Sequence, residues 1–175
     1  MDATGVLEDA FGRVRGAVHA AVEGLAQEQL AARPDPGANS IAWLVWHLTR
    51  VQDDHVADAF GLEQVWLADG WASRFGLALP LEDTGYGHGS GEVDALGVVP
   101  ASLLLGYHDA VHDRTVEALR GASAADLDRV VDTSWDPPVT LGVRLVSVVD
   151  DDLEHAGQAG YVRGLVLRGA VGAGR

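Results

Sequence analysis

A segment of apolar, helix-forming sequence in the last third of the chain, Leu141 to Leu167, carries a group of charged residues in its middle. Four acids and a histidine fall between Asp150 and His155. Because an α-helix repeats about every 3.6 residues, Asp151 and His155 lie one turn apart on the same face. A buried, unpartnered carboxylate costs several kcal/mol, so buried charges are usually paired or bound to a metal. The segment therefore predicts either a polar site inside a helical protein or an acidic face turned to solvent.

The stripe that contains Asp151 and His155 favours the buried site. In steps of three and four residues, it consists of Arg144, Val148, Asp151, His155, Gln158 and Val162. Polar groups occupy its middle and apolar groups flank them, as in a site sunk into a helical bundle. For Asp150, Asp152 and Glu154 we expect a solvated acidic surface. Of the four acids, only Asp151 is then placed to bind a metal.

Three further segments carry apolar residues at helical spacing: Val6 to Leu25, Ile41 to about Phe60, and Ala101 to Arg120. Asn39-Ser40 provides a cap for the second of them. Four long amphipathic helices predict an all-α protein with the architecture of a four-helix bundle. We expect one domain over residues 1–170 and a flexible tail over 171–175.

The connections between these helices are less regular. Trp66 and Trp71 follow the second helix, and we expect them to be exposed in loops or short helices. The glycine-rich stretch Pro80 to Gly97 is expected to be a long crossover loop on the surface. Asp126 to Thr140 is expected to form an extended pair or an irregular loop.

Composition limits the possible functions. The net charge of −14, with arginine as the only basic residue besides histidine, opposes binding to nucleic acid. The sequence has no apolar run long enough for a membrane span and no basic N-terminal leader, so we expect a cytoplasmic protein. Because there is no cysteine, any metal must be held by histidine and carboxylate, and any thiol chemistry requires a thiol from a substrate.

His47 is the candidate third ligand. It lies beside the apolar stripe of the second helix, with Trp43 one turn before it and Asp54 two turns after it. A lone histidine in such a helix is more often a hydrogen-bonded core residue. Across a bundle from Asp151 and His155, however, it would complete a metal site of the kind built from inward side chains on facing helices.

Other polar residues have alternative roles. Asp54 can orient a ligand or bind the metal itself, and Gln158 can hydrogen-bond to a ligand. His108 and His112 form a second histidine pair one turn apart, but their apolar neighbours favour packing or pocket lining. Asp53 is expected to face solvent, and the sequence identifies no partner for the loop residue His88.

Two motifs resemble those of the DinB-like (YfiT-like) metalloenzymes. Residues 41–55, which read IAWLVWHLTRVQDDH, look like the second-helix motif of that family. Residues 151–158, which read DDLEHAGQ, look like its fourth-helix motif, in which HxxxH followed by Gly-Gln is usual. The order of elements matches across nearly the whole chain. The resemblance implies an up-up-down-down bundle with a long crossover between the second and third helices, one divalent metal held by three side chains, and frequent homodimers.

The sequence departs from the family pattern at one ligand. Asp151 stands where the family usually has histidine. Two histidines and a carboxylate still suit zinc or nickel, the metals that the resemblance implies, and they also suit iron. The added anion lowers the net charge of the site. It also leaves open that the metal site has been lost.

Two alternative functions follow: the resemblance implies the first, and the departure at Asp151 together with the lack of a clear general acid or base favours the second. In the first, the protein is a metal-dependent S-transferase or isomerase that acts on a small molecule and activates a low-molecular-weight thiol such as mycothiol. A hydrolase could use the same residues. In the second, the protein is a non-catalytic stress-associated or small-ligand-binding bundle with a vestigial metal site. The sequence identifies no further catalytic group.

Overall fold

The computed structural model describes residues 2–171 of the chain. Eight α-helices, four of them long, and two short 3₁₀ helices (Leu96–Val98 and Ala124–Asp128) lie in this range. The long helices are α1 (Ala3–Val22), α3 (Ile41–Phe60), α7 (Ala101–Gly121) and α8 (Leu141–Leu167). The short helices are α2 (Gln27–Ala31), α4 (Val65–Ala68), α5 (Trp71–Phe75) and α6 (Ser90–Ala95). The predicted bundle of four long helices is confirmed, and the bounds of α3 and α8 are those predicted.

The connections contain more structure than expected. The crossover between α3 and α7 contains α4, α5 and α6, followed by a short 3₁₀ turn at Leu96–Val98. Between α7 and α8, strands β1 (Val130–Asp132) and β2 (Val139–Thr140) form the extended pair. No helix within residues 2–171 is long and apolar enough to cross a membrane. Met1 and residues 172–175, most of the predicted tail, lie outside the described residues.

Contacts between the long helices define their directions. The antiparallel pairs are α1 with α7 (Glu8–Arg120, Arg15–Asp109) and α3 with α8 (His55–Arg144, His47–His155), whereas α3 and α7 are parallel (Thr49–His108, Gln52–Thr115). In chain order the directions are therefore up, down, down, up. This order differs from the predicted up-up-down-down order. The long crossover is needed because α7 begins at the same end of the bundle as α3.

The ends of α3 and α8 are defined by local hydrogen bonds. The Ser40 hydroxyl accepts from the backbone N–H of Trp43 at 3.2 Å, which caps the start of α3. Gly61, with φ of +67°, ends the same helix in the left-handed conformation. Thr140 caps α8 in the same way as Ser40 caps α3. These local bonds determine where α3 begins and ends and where α8 begins.

A layer of buried polar side chains separates two apolar clusters of the core. The layer consists of Thr49, Gln52, His108, Thr115 and Asp152, each at most 1% exposed. On α8, Asp152 lies between Val148 of one cluster and Ala156 of the other. Asp152 therefore lies in the bundle interior, and the prediction that it belongs to a solvated surface is wrong. Asp150 and Glu154 are exposed as expected.

Hydrogen bonds assign the tautomer of His108. The Thr49 hydroxyl donates to the carbonyl of Val45 at 2.7 Å, so it accepts from His108 Nδ1, 3.1 Å away. His108 Nε2 therefore carries a lone pair, and no donor among residues 2–171 reaches it. Burial is the main reason that the pKa of His108 is lowered to about 3. The predicted packing role of His108 agrees with this interior position.

Two further expectations about exposure are wrong. Asp53 is 3% exposed because its carboxylate accepts hydrogen bonds from the backbone N–H groups of Val65 and Trp66, each at 2.8 Å. Trp66 is itself buried, and Trp71 is half-buried against α7. These tryptophans attach the crossover to the bundle.

We predict that His108 makes the protein sensitive to acid. As the pH falls below 6.5, the unfolded chain protonates this imidazole, whereas the folded protein does so only near pH 3. His108 should therefore lower the free energy of unfolding by about 1.4 kcal/mol per pH unit across this range. The free energy of unfolding, measured with urea between pH 7 and pH 4, should depend less steeply on pH in His108→Leu than in the wild type.

His19→Gln is the control for this experiment. Hydrogen bonds to Glu23 and Asp109 raise the pKa of His19, so its stabilising contribution is complete below pH 6.5 and is lost at higher pH. Below pH 6.5, the free energy of unfolding of His19→Gln should therefore change with pH as steeply as that of the wild type. Equal slopes for wild type and His108→Leu would contradict the assignment.

Candidate metal centre

The structure brings together the three predicted ligands. One donor atom each from His47, Asp151 and His155 lies within 4.8 Å of the other two. His155 Nε2 is 3.6 Å from Asp151 Oδ1, and the two imidazole rings have centroids 4.8 Å apart. Within residues 2–171 no other set of three such side chains converges in this way. The antiparallel packing of α3 on α8 produces this convergence.

Each histidine of this triad (His47, Asp151 and His155) makes one hydrogen bond, through Nδ1, which leaves its Nε2 free. His47 Nδ1 donates to the backbone carbonyl of Thr84. His155 Nδ1 donates to Gln158 Oε1 at 3.1 Å, which gives Gln158 its predicted role. A hydrogen bond on one ring nitrogen determines the tautomer and orients the other nitrogen. Both Nε2 atoms are therefore available as metal ligands.

A glycine allows the crossover to pass over His47. Gly85 has φ of +94°, a conformation that side-chain-bearing residues rarely adopt. A Cβ at this position would lie 2.8 Å from His47 Nδ1 and 3.2 Å or less from the rings of Trp43 and Trp46. Neither the conformation nor the space suits another residue. Gly85 therefore permits the contact between Thr84 and His47.

The loop over His47 is attached at Asp83. The buried guanidinium of Arg50 donates to the Asp83 carbonyl at 3.1 Å, and Asp83 Oδ1 accepts from the Gly85 N–H at 2.8 Å. Asp83 Oδ2 is 2.8 Å from His88 Nε2, and His88 Nδ1 accepts from Trp43 Nε1 at 3.0 Å. His88 therefore has two partners that the sequence did not reveal. These bonds hold the loop on the helix that carries His47.

Trp43 forms a wall of the site. Its ring stacks on His47 with a centroid separation of 4.6 Å and an interplanar angle of 14°. The same ring meets His155 edge-on at 6.4 Å. Trp43 thereby restricts the orientations of both imidazoles.

The charges at the triad fit a divalent cation. The pKa of His47 is lowered mainly by burial and further by His155, while the bond to Thr84 opposes these effects. Its imidazole is therefore neutral at neutral pH. Asp151 Oδ2 is buried and has no donor among the described residues. Two imidazoles and a carboxylate with a free oxygen are a suitable donor set for zinc, nickel or iron.

Two predicted pocket residues lie apart from the converging donor atoms. Asp54 Oδ1 accepts from Gln64 Nε2 at 2.7 Å, so its carboxylate helps to hold the crossover. His108 belongs to the interior layer and bonds to Thr49. Neither belongs to the triad group.

The residues that orient His47 could not be identified directly from the sequence. Thr84 acts through a backbone carbonyl, which any residue could supply. The one available signal is the glycine-rich run from Gly85 to Gly89, which is typical of a loop in close contact with another part of the chain.

Comparisons with known proteins agree with this description. A sequence profile of the DinB superfamily matches residues 10–159, and the chain therefore belongs to that superfamily. A similar solved structure is the crystal structure of the conserved protein of locus from Enterococcus faecalis. The two chains are 31% identical, with a TM-score of 0.88 over 95% of this chain and 98% of the other. No curated protein matches the sequence. The family resemblance of the two motifs is thus confirmed.

We predict that Gly85→Ala weakens metal binding. The added Cβ should push Thr84 away from His47, and loss of such an orienting bond typically lowers metal affinity about 10- to 100-fold. Competition with a chromophoric chelator measures the affinity directly.

Gly87→Ala is the matched control. Gly87 also has a positive φ, of +77°, but a Cβ there meets nothing within 4 Å. Both variants should therefore strain the backbone to a similar extent. Gly85→Ala should lose more metal affinity than Gly87→Ala does. A similar loss in both variants would mean that the contact with His47 is unimportant.

Proposed function

We propose that the protein is a divalent-metal-dependent enzyme whose metal is held by His47, Asp151 and His155. The observation that carries this proposal is the convergence of three donor atoms within 4.8 Å, with both histidine tautomers suited to ligation. The unpartnered Oδ2 of Asp151 supports it, since a buried carboxylate oxygen without a donor is costly.

Side chains leave one side of the triad accessible. The Asp151 and His155 side chains are 36% and 18% exposed, whereas His47 is buried beneath Thr84 and Trp43. A small molecule can thus approach from the α8 side. A divalent ion bound here would act as a Lewis acid and lower the pKa of a thiol or water placed beside it.

We propose a low-molecular-weight thiol as cosubstrate and an S-transferase or isomerase reaction. The support is the membership of the superfamily together with the absence of cysteine from this chain, so that any thiol must come from outside. Mycothiol is the thiol we would test first. The homodimer, the cytoplasmic location and the lack of nucleic-acid binding stay predictions.

A non-catalytic ligand-binding role is the second candidate. His88, an imidazole behind Trp43, has both ring nitrogens engaged by Trp43 and Asp83, so it is not free to move a proton. Among residues 2–171 the site thus offers no evident general acid or base beyond the triad. A protein that binds a metal and a ligand without turnover is consistent with this arrangement.

Metal stoichiometry tests the proposal. Protein purified without a histidine tag and reconstituted with zinc or nickel should bind one metal per chain, and His155→Ala should lose it. His112→Ala, a histidine on α7 outside the triad, should bind as the wild type does. Failure of the reconstituted wild type to bind metal would refute the proposal.

Substitutions of Asp151 separate a ligand from a merely nearby acid. Asp151→His restores the histidine usual in the family and should keep one metal per chain. Asp151→Ala should lower the affinity at least tenfold, because it leaves two protein ligands. Isothermal titration with zinc measures both. Wild-type affinity in Asp151→Ala would remove Asp151 from the ligand set.

A further inference from the structure

A groove of about 450 Å³ lies between the start of α3, the loop before it and the C-terminal half of α8. Its lining includes Pro34, Leu44, Gly157, Gln158 and Val162. This volume is within the range of small-molecule sites. None of the three triad residues lines the groove, so it is a separate feature of the surface.

The groove continues from the triad along both helices. Leu44 lies one turn before His47 on α3, and Gln158 lies one turn after His155 on α8. Gln158 belongs to both features, since it lines the groove and accepts the hydrogen bond from His155 Nδ1. One helical turn is about 5 Å, so a molecule with one end at the triad can place the next few atoms in the groove.

The lining selects for an uncharged, apolar occupant. Among residues 2–171 no charged residue lines the groove; Asn39, Gln158 and Tyr161 supply its polar groups. The arginines next in sequence to the lining point elsewhere: Arg33 bonds to Asp94, and Arg163 bonds to the carbonyl of Glu23. A phosphate or carboxylate in the groove would therefore lack a counter-charge.

We infer that this groove binds the apolar body of a small uncharged substrate whose reacting end lies at the triad. Gly157 is the residue that determines the size of this body, because a Cβ built there meets nothing within 4 Å and a larger side chain would enter the open space. The placement of the reacting end at the triad rests on the proposed function. The groove itself can be tested without metal.

The first test uses metal-free protein and the neutral fluorescent probe N-phenyl-1-naphthylamine. The wild type should bind the probe, and Gly157→Phe should weaken binding at least tenfold. Gly160→Phe is the matched control, because Gly160 is on the same helix, is equally unobstructed and lies outside the groove. It should bind the probe as the wild type does. No probe binding, or equal binding by both variants, would overturn the groove as an apolar site.

The second test uses cobalt-substituted protein and three thiols: 2-mercaptoethanol, 1-propanethiol and 1-pentanethiol. Thiolate ligation is followed by its charge-transfer absorption. Each methylene buried in the groove should raise the affinity about three- to fourfold. Gly157→Phe should abolish this increment between propanethiol and pentanethiol, while Gly160→Phe should retain it.

The two tests separate failure of the groove from failure of the proposed function. Thiols that bind cobalt without a chain-length effect would refute the groove and leave the metal site intact. Probe binding that depends on Gly157 together with no thiolate signal would refute the proposed position of the reacting end at the triad. Cobalt content is measured for each variant, so that loss of metal is not mistaken for loss of the groove.

Discussion

The packing of α3 against α8 brings together hydrogen-bond acceptors that have no donor among residues 2–171. Asp151 Oδ2 is buried at this interface and has no donor among residues 2–171. Hydrogen bonds to Thr84 and Gln158 leave the Nε2 atoms of His47 and His155 as further acceptors. Such an arrangement is unfavourable by itself and becomes favourable around a cation. We regard this concentration of acceptors as the central physical feature of the protein.

The crossover between α3 and α7 both determines the topology and completes the site. Because α7 runs parallel to α3, the chain must return along the length of the bundle, and this return passes over His47. Buried Arg50 bonds to the Asp83 carbonyl on one side, and Gly85 permits the close contact on the other. The connection that the fold requires therefore also orients a ligand. This explains why a loop without catalytic side chains lies in contact with the triad.

The sequence predicted features that follow from helical periodicity and could not predict those that depend on tertiary contacts. The bounds of α3 and α8 and the position of Asp151, His155 and Gln158 on one face of α8 follow from residue spacing, whereas the grouping of His47 with Asp151 and His155 was supported by the resemblance of the two motifs to the DinB-like family. The burial of Asp53 and Asp152 could not be predicted in this way, because an acidic residue in a helix is expected to be exposed unless its neighbours on other elements are known. Thr84 could not be found either, since its contribution is a backbone carbonyl. The helix directions required the observed pairs between helices.

Anomalous diffraction from crystals grown with zinc or nickel tests the account most directly. We expect a single strong anomalous peak between His47 Nε2, His155 Nε2 and a carboxylate oxygen of Asp151. The metal–ligand distances should be about 2.0–2.2 Å, as is usual for these ligand types. Thr84 and Gln158 should keep their bonds to the two imidazoles. A metal-saturated crystal with no peak at the triad, or with a metal bound elsewhere, would contradict the central claim.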